Sequence, residues 1–416
     1  MFCKHVIHLE VSLHRFFYSM TTQKQDFYGF LAQTSKTPVG LEIANAKGIW
    51  LKDVEGKKYM DLISGIAVSN LGHGNPHVIK AIKEQADRHT HVMVYGEYVQ
   101  SKQVQFAKKI CGLLPESLNS VYFVNSGSEA VEGALKLAKR YTGRKEIISF
   151  KGAYHGSTHG ALSVMGDDTL KTPYGPLLPG IKILPYNDTT ALRTITEKTA
   201  CVIIEPIQGE GGTIVPDRSF LKALQKRCKE TTSLLIVDEI QTGFGRSGKL
   251  FAFEHFGIKP DIMTIGKAMG GGLPLGGFVA NRKIMQVLAD NPPLGHITTF
   301  GGHPLCCAAG LAALDVLIND KFHEQAAQKE KLFRTLLKHP SIKEIRGKGL
   351  MLAVEFNNEE LCKKAIGVCL KKGIIVDWFL FCPTAMRIAP PLIIQEKEIK
   401  HACTVIISAL KEITSN

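Results

Sequence analysis

Between residues 120 and 280 short β-branched, apolar runs alternate with amphipathic stretches, and few architectures accommodate that alternation. SVYFV (120–124) precedes the helical AVEGALKLAKRY (130–141). EIISF (146–150), ACVIIEP (200–206), a helix near Ser219–Thr231, LLIVDE (234–239) and DIMTIG (261–266) follow. Runs that are apolar at every position suit strands covered on both faces, as in parallel sheets whose helical crossovers lie on either side. The pattern predicts an α/β fold with a mostly parallel central sheet, and functional groups on the loops at its strand ends. The flanks differ. GIWLKDVEGKKYMDL (48–62) predicts a β-hairpin with its turn at Asp53–Gly56. From about Phe322 long helices mix with strands near Met351–Phe356 and Gly373–Asp377, predicting a smaller α+β domain.

A length of 416 residues fits two or three domains at roughly 100–200 residues each. The expected division is an extension over 1–19 outside the fold, an N-terminal segment 20–70 packing with the small domain, a large domain 71–310 and a small domain 311–416. MFCKHVIHLEVSLHRFFYS, the first nineteen residues, is basic and histidine-rich but lacks the continuous apolar core and cleavage site of a secretory signal. Met20, followed by polar residues, reads as the start of the protein proper. No apolar run reaches the roughly 18–20 residues that span a bilayer, so no membrane partner is expected. Ten scattered cysteines include no C-x-x-C pair, which predicts free thiols and a cytoplasmic protein. His73 and His77 are separated by Gly74 and Pro76, which reads as a loop, and no metal site is expected. The net charge of +13 is dispersed among acids. Without a nucleic-acid-binding module it predicts a solvated basic surface that attracts anionic small molecules.

Three segments carry chemistry. In TIGKAMGGGLPLGG (264–277), Lys267 follows an apolar strand and precedes the triple glycine 270–272. A lysine at a buried strand end is costly unless paired, neutral or covalently used, and glycines let backbone approach a ligand closely. In LLIVDEIQTGFGRSG, Asp238 ends an apolar strand. A carboxylate there can pair with a protonated pyridine nitrogen, as pyridoxal-phosphate (PLP) chemistry requires, or simply cap the loop. In FVNSGSEAVEGALKLAKR a strand runs through Asn-Ser-Gly-Ser into a helix; backbone N–H groups with the Ser126 and Ser128 hydroxyls form a natural phosphate cradle. Gly243, Gly245 and Gly248 match a dinucleotide fingerprint, but four residues separate them from the strand-ending Asp238 and no βαβ unit follows.

Taken in order, Asn125–Ala130, Tyr154–Gly156, Glu205–Gly212, Asp238–Gly248, Lys267–Gly272 and Thr298–Leu305 resemble the motifs of class III (ω-amino acid) aminotransferases of PLP fold type I. The resemblance runs from about residue 30 to 410. It implies that Lys267 holds the cofactor as a Schiff base and moves a proton between Cα and C4′. Asp238 would pair with the pyridine nitrogen, Gln241 lie near the ring hydroxyl, and Tyr154 stack on the ring with His155 beside it. Ser126, Gly127 and Ser128 would bind the phosphate. Thr299 would reach the phosphate of a neighbouring subunit, implying a homodimer with shared active sites.

The resemblance also assigns substrate roles to Glu205, Glu210 and Arg387. Arg387 would bind a carboxylate in bidentate fashion, and Glu210 would mask it when an ω-amine arrives with no carboxylate there. Acetylornithine, ornithine and 4-aminobutyrate enzymes generally show His-Gly-Arg-Thr where this chain reads His155-Gly156-Ser157-Thr158, and Ser157 cannot fork onto a carboxylate. The expected reaction moves a terminal amino group from an ω-amino acid or diamine to 2-oxoglutarate, giving glutamate. A decarboxylase, racemase or aminomutase would use Lys267 and Asp238 equally well, and a non-catalytic PLP-binding protein is a third reading.

Overall fold

The computed structural model describes residues 22–415, so the extension 1–19 and Met20 lie outside the described residues. By internal contacts the chain divides into two units, one holding residues 22–46 and 51–58 and the other 47–50 with the remainder.

The first unit contains a helix, Gln23–Phe30, started by a capping box in which the Thr22 hydroxyl and the Gln25 side chain each accept the other's backbone N–H. Strand β1 (Ile43–Lys47) follows. The predicted hairpin strands are present as β2 (Trp50–Asp53) and β3 (Lys58–Asp61), of which residues 51–53 and 58 belong to this unit. Its turn is closed by Asp53 N–H to Lys57 O and Gly56 N–H to Asp53 O.

The second unit is built on seven strands: β4 (Ser120–Val124), β5 (Glu146–Phe150), β6 (Ile181–Leu184), β7 (Thr199–Ile204), β8 (Leu234–Asp238), β9 (Ile262–Ile265) and β10 (Gly276–Ala280). Their order is β4-β10-β9-β8-β7-β5-β6, with β10 antiparallel to both neighbours and the other pairings parallel. Strands β7 to β10 are buried along their whole length. Successive residues enter two separate cores: Leu235, Val237, Met263 and Ile265 pack on one face, Leu234, Ile236, Ile262 and Phe278 on the other. This two-sided burial is the physical source of the unbroken apolar runs. The helix Gly127–Thr142 lies close on the second face. A Cβ on Gly133 would fall 2.3 Å from the Phe278 ring, so only glycine permits that approach.

The tail forms β11 (Ile342–Lys348), β12 (Met351–Phe356), β13 (Ile374–Ile375), β14 (Asp377–Phe379) and β15 (Cys382–Ile388). β13 pairs parallel with β3, and the others make an antiparallel sheet in the order β11-β12-β15-β14; helix Glu359–Lys371 packs on it and helix Glu396–Thr414 packs on that helix. The segment read as a loop at 73–77 differs: a helix starts at Pro76, where the missing N–H costs nothing, and Asn75 caps it by accepting from His77 and Val78. His73 bonds Asp61 instead. Among the described residues no group of three ligating side chains gathers, and no helix is long and apolar enough to cross a membrane.

Candidate active site

The carboxyl edge of the large sheet collects the chemistry. Asp238 is the last residue of β8 and aligns with Thr264 of β9, which places it level with the turn that carries Lys267. Ile204 aligns with Val237, so Glu205 emerges beside Asp238. A cavity of about 200 Å³ opens there. Ser126, Gly127 and Ser128 line it on one side; Tyr154, His155, Glu205, Asp238, Gln241 and Lys267 complete it. A larger cavity, about 650 Å³, lies between helix Phe322–Leu336 and residues 393–399, away from the strand ends, and collects none of the predicted site residues.

Lys267 stands in the left-handed region, at φ 48°, and opens a 3₁₀ turn to Gly270. A non-glycine residue there costs of order 1–3 kcal/mol and persists only where its surroundings fix it. Burial lowers its pKa below the ordinary lysine value, while the carboxylates of Glu210, Asp238 and Glu205 act in the opposite direction. A lysine so poised is more readily neutral and nucleophilic.

Asp238 is 3% exposed. Its Oδ2 lies 2.7 Å from His155 Nδ1 and its Oδ1 accepts from Ile240 N–H at 3.0 Å. A carboxylate only accepts, so the imidazole proton sits on Nδ1. His155 Nε2 is buried without a protein partner.

The cradle is the start of helix Gly127–Thr142. Ser126 caps it, accepting from Glu129 N–H at 3.2 Å. Ser128 Oγ accepts from Ser157 N–H at 3.2 Å, which leaves its own proton free to donate. Gly156 closes over it at φ 127°, where a Cβ would lie 2.2 Å from Ser128 Oγ. Across the cavity Glu205 accepts from the backbone N–H groups of Tyr154 (3.0 Å) and Gly209 (2.9 Å). Burial pushes its carboxyl up to about 7. The Tyr154 hydroxyl lies 3.1 Å from Ser157 Oγ.

Behind Gln241, whose amide reaches Glu210 at 3.4 Å, Arg387 Nη2 bonds Glu210 Oε2 at 2.6 Å. Both are 4% exposed. Burial opposes the charge on Glu210, but Arg387 and the Leu380 N–H outweigh it and hold the carboxyl below its usual range. Arg387 lies 4.5 Å from the Phe379 ring centroid, and its Nε and Nη1 have no protein partner. Thr299 stands apart: it is exposed and does not line the cavity, while its neighbour Thr298 accepts from Asn125 Nδ2. Sequence reasoning missed the turn at Leu380 and Phe381, whose backbone N–H groups hold Glu210; backbone donors leave no mark in residue type.

The residues fit pyridoxal phosphate. Helix-start N–H groups with two hydroxyls suit a dianion, a buried carboxylate oriented by histidine suits a protonated ring nitrogen, and a depressed lysine suits an aldehyde carbon. The family model described as aminotransferase class-III matches residues 31–410. An acetylornithine aminotransferase of Methanothermobacter thermautotrophicus is 38% identical over 384 residues, covering 91% of this chain and 95% of its own length. One from Bacillus subtilis is 41% identical over 378 residues, covering 89% and 94%. Among solved structures, the ornithine aminotransferase of Toxoplasma gondii, described with partial occupancy of PLP at its active site, superposes with a TM-score of 0.88 at 31% identity, covering 98% of each chain. The structural likeness confirms fold type I, and the cofactor is pyridoxal phosphate. The chain belongs to the class III aminotransferases.

Proposed function

We propose that the protein transfers the terminal amino group of an ω-amino acid or diamine, in the manner of acetylornithine, ornithine or 4-aminobutyrate, to 2-oxoglutarate, giving glutamate. The observation that carries this reading is the buried Arg387–Glu210 pair, in which two guanidinium nitrogens remain unpartnered. Such a fork accepts a carboxylate once Glu210 withdraws, and is neutralised by Glu210 when an ω-amine arrives with no carboxylate at that position. One pocket thereby serves two substrates of different charge. A racemase or mutase needs no such gate.

Bound in the cavity, pyridoxal phosphate supplies the electron sink. Asp238, whose orientation His155 fixes, would hold the ring nitrogen protonated. Lys267 would hold the cofactor and serve as the general base and acid that moves the substrate Cα proton. Ser126, Gly127 and Ser128, which line the cavity with Tyr154 and Gln241, would hold the phosphate, with Tyr154 serving the ring face and Gln241 the ring hydroxyl. Ser157 leaves the donor wall with a hydroxyl pair instead of a guanidinium, so a donor carboxylate is held there by another basic residue or the donor differs from the three named above.

Thr299 is read as completing the phosphate site of a second copy in a homodimer, a reading supported by the exposed apolar side chains Leu294, Ile297 and Phe300 around it. Each cysteine among the described residues is a free thiol, which suits the reducing cytoplasm.

The test is to add N-acetylornithine, ornithine, 4-aminobutyrate, lysine, β-alanine and putrescine singly to the yellow holoenzyme. One donor should bleach the visible band, and 2-oxoglutarate should restore it. A band that none of them alters overturns the reading.

A further inference from the structure

The loop that carries Glu210 is closed at its base by a backbone pair: Gln208 N–H donates to Ile214 O (3.0 Å) and Ile214 N–H to Gln208 O (3.2 Å). Within it the N–H groups of Gly212 and Thr213 both donate to Gly209 O at 3.1 Å, winding the intervening residues into one tight turn. The turn is pinned from outside at three points. Gly209 N–H is held by Glu205, the Glu210 carbonyl accepts from Phe381 N–H at 3.1 Å, and the Gly212 carbonyl accepts from Arg346 Nε at 2.9 Å.

Arg346 makes the third pin rigid because its remaining nitrogens are also committed. Nη2 bonds Glu355 and Nη1 bonds Glu344, each at 2.6 Å. Glu344 is 52% exposed and contributes little, whereas Glu355 is only 11% exposed. Glu355 lies on β12 opposite Ala385 of β15 and also accepts from Thr384 of β15. Strand β15 carries Arg387 two residues further on. A single guanidinium therefore references the loop of the gate to the strand of its partner. The fit is close: Gly212 sits at φ 91°, and a Cβ there would lie 2.7 Å from Arg346 Nη2 and 2.9 Å from Cys382.

For Arg387 to take a substrate carboxylate Glu210 must leave it, and before the next amine Glu210 must return. With the backbone fixed on both sides of Glu210, the only inexpensive motion is rotation about its own side-chain bonds. We propose that Arg346 is a positioning residue for this gate, holding the Glu210–Gly212 turn so that the Glu210 carboxylate swings without loop rearrangement and returns to Arg387. The proposal rests on the reading of Glu210 and Arg387 as a gate. It assigns Arg346 a role in substrate choice and none in cofactor binding.

The test compares single-turnover bleaching of the holoenzyme by L-glutamate and by whichever amine of the donor panel reacts fastest. Arg346→Gln should raise the apparent KM for the amine about 10-fold, leave that for glutamate within about twofold, and leave the resting visible band unchanged. Arg346→Lys and Glu355→Gln, which disturb the packing less, should show the same split to a smaller degree and decide the matter if Arg346→Gln does not fold. Glu210→Ala is measured alongside. If it separates the two half-reactions and the Arg346 and Glu355 variants slow both equally or neither, the role of Arg346 is overturned and the gate stands. If Glu210→Ala separates nothing, the gate reading fails and this inference with it.

Discussion

Asp238 and His155 form a buried hydrogen-bonded pair, Oδ2 to Nδ1 at 2.7 Å, with neither side chain more than 3% exposed. The histidine fixes the orientation of the carboxylate proposed to pair with the ring nitrogen. Asp238→Asn removes the charge and keeps the shape, so kcat should fall by roughly 10²–10³-fold, about 3–4 kcal/mol of transition-state stabilisation. His155→Gln, which removes only the orientation, should cost about tenfold. Steady-state kinetics on both variants checks this, and equal losses would mean that His155 does more than orient.

Gly156→Ala should weaken cofactor binding. The new Cβ would meet Ser128 Oγ at 2.2 Å on a backbone at φ 127°, displacing the hydroxyl proposed to donate to phosphate. Titration of the apoenzyme with pyridoxal phosphate should show at least a tenfold higher Kd, about 1.4 kcal/mol. An unchanged Kd would show that Ser128 contributes nothing to the cradle.

Ser157→Arg should shift donor preference. A guanidinium beside the Tyr154 hydroxyl can fork onto a donor carboxylate, so kcat/KM for ornithine relative to putrescine should rise about tenfold. A ratio that does not move would place the donor's far end elsewhere.

Two buried acids make stability depend on pH. Burial pushes Glu205 and Glu239 each from 4.5 up to about 7. A raised carboxyl pKa means that the folded state holds its proton more tightly than the unfolded chain. The associated stability is fully present below pH 4.5 and is lost as pH rises through 7, on the order of 1–3 kcal/mol for each acid. Glu239 lies outside the cavity lining, bonded to Thr242 and to the N–H groups of Ala252 and Phe253, so it isolates the effect. Between pH 5 and 7.5 the Tm of the wild type should decline relative to that of Glu239→Gln. Parallel curves would contradict the raised pKa.

The sheet was legible in the sequence because two-sided burial writes itself as unbroken apolar runs, as in Leu234–Asp238. Most of the site was legible because its side chains sit where those runs stop: Asp238 closes β8, Glu205 follows β7 and Lys267 follows β9. What the sequence hid was held by main-chain atoms or distant partners. Leu380 and Phe381 act through their N–H groups, and Arg346 meets Gly212 across 134 positions, a distance no local pattern spans. Pro76 misled because the same ring that breaks a helix interior is welcome at its first residue.

The alternation of β9 and β10 between two cores governs how this region can change in evolution. Met263, Ile265 and Val279 face one core, Ile262, Phe278 and Ala280 the other. One inserted or deleted residue within either strand would send its later side chains to the wrong core, and within β9 it would also carry Lys267 out of line with Asp238. Substitutions are tolerable at many of these positions, but changes of length are not. Descendants of this chain can vary their substrates by exchanging side chains such as Ser157, while the spacing from Ile262 to Ala280 stays frozen.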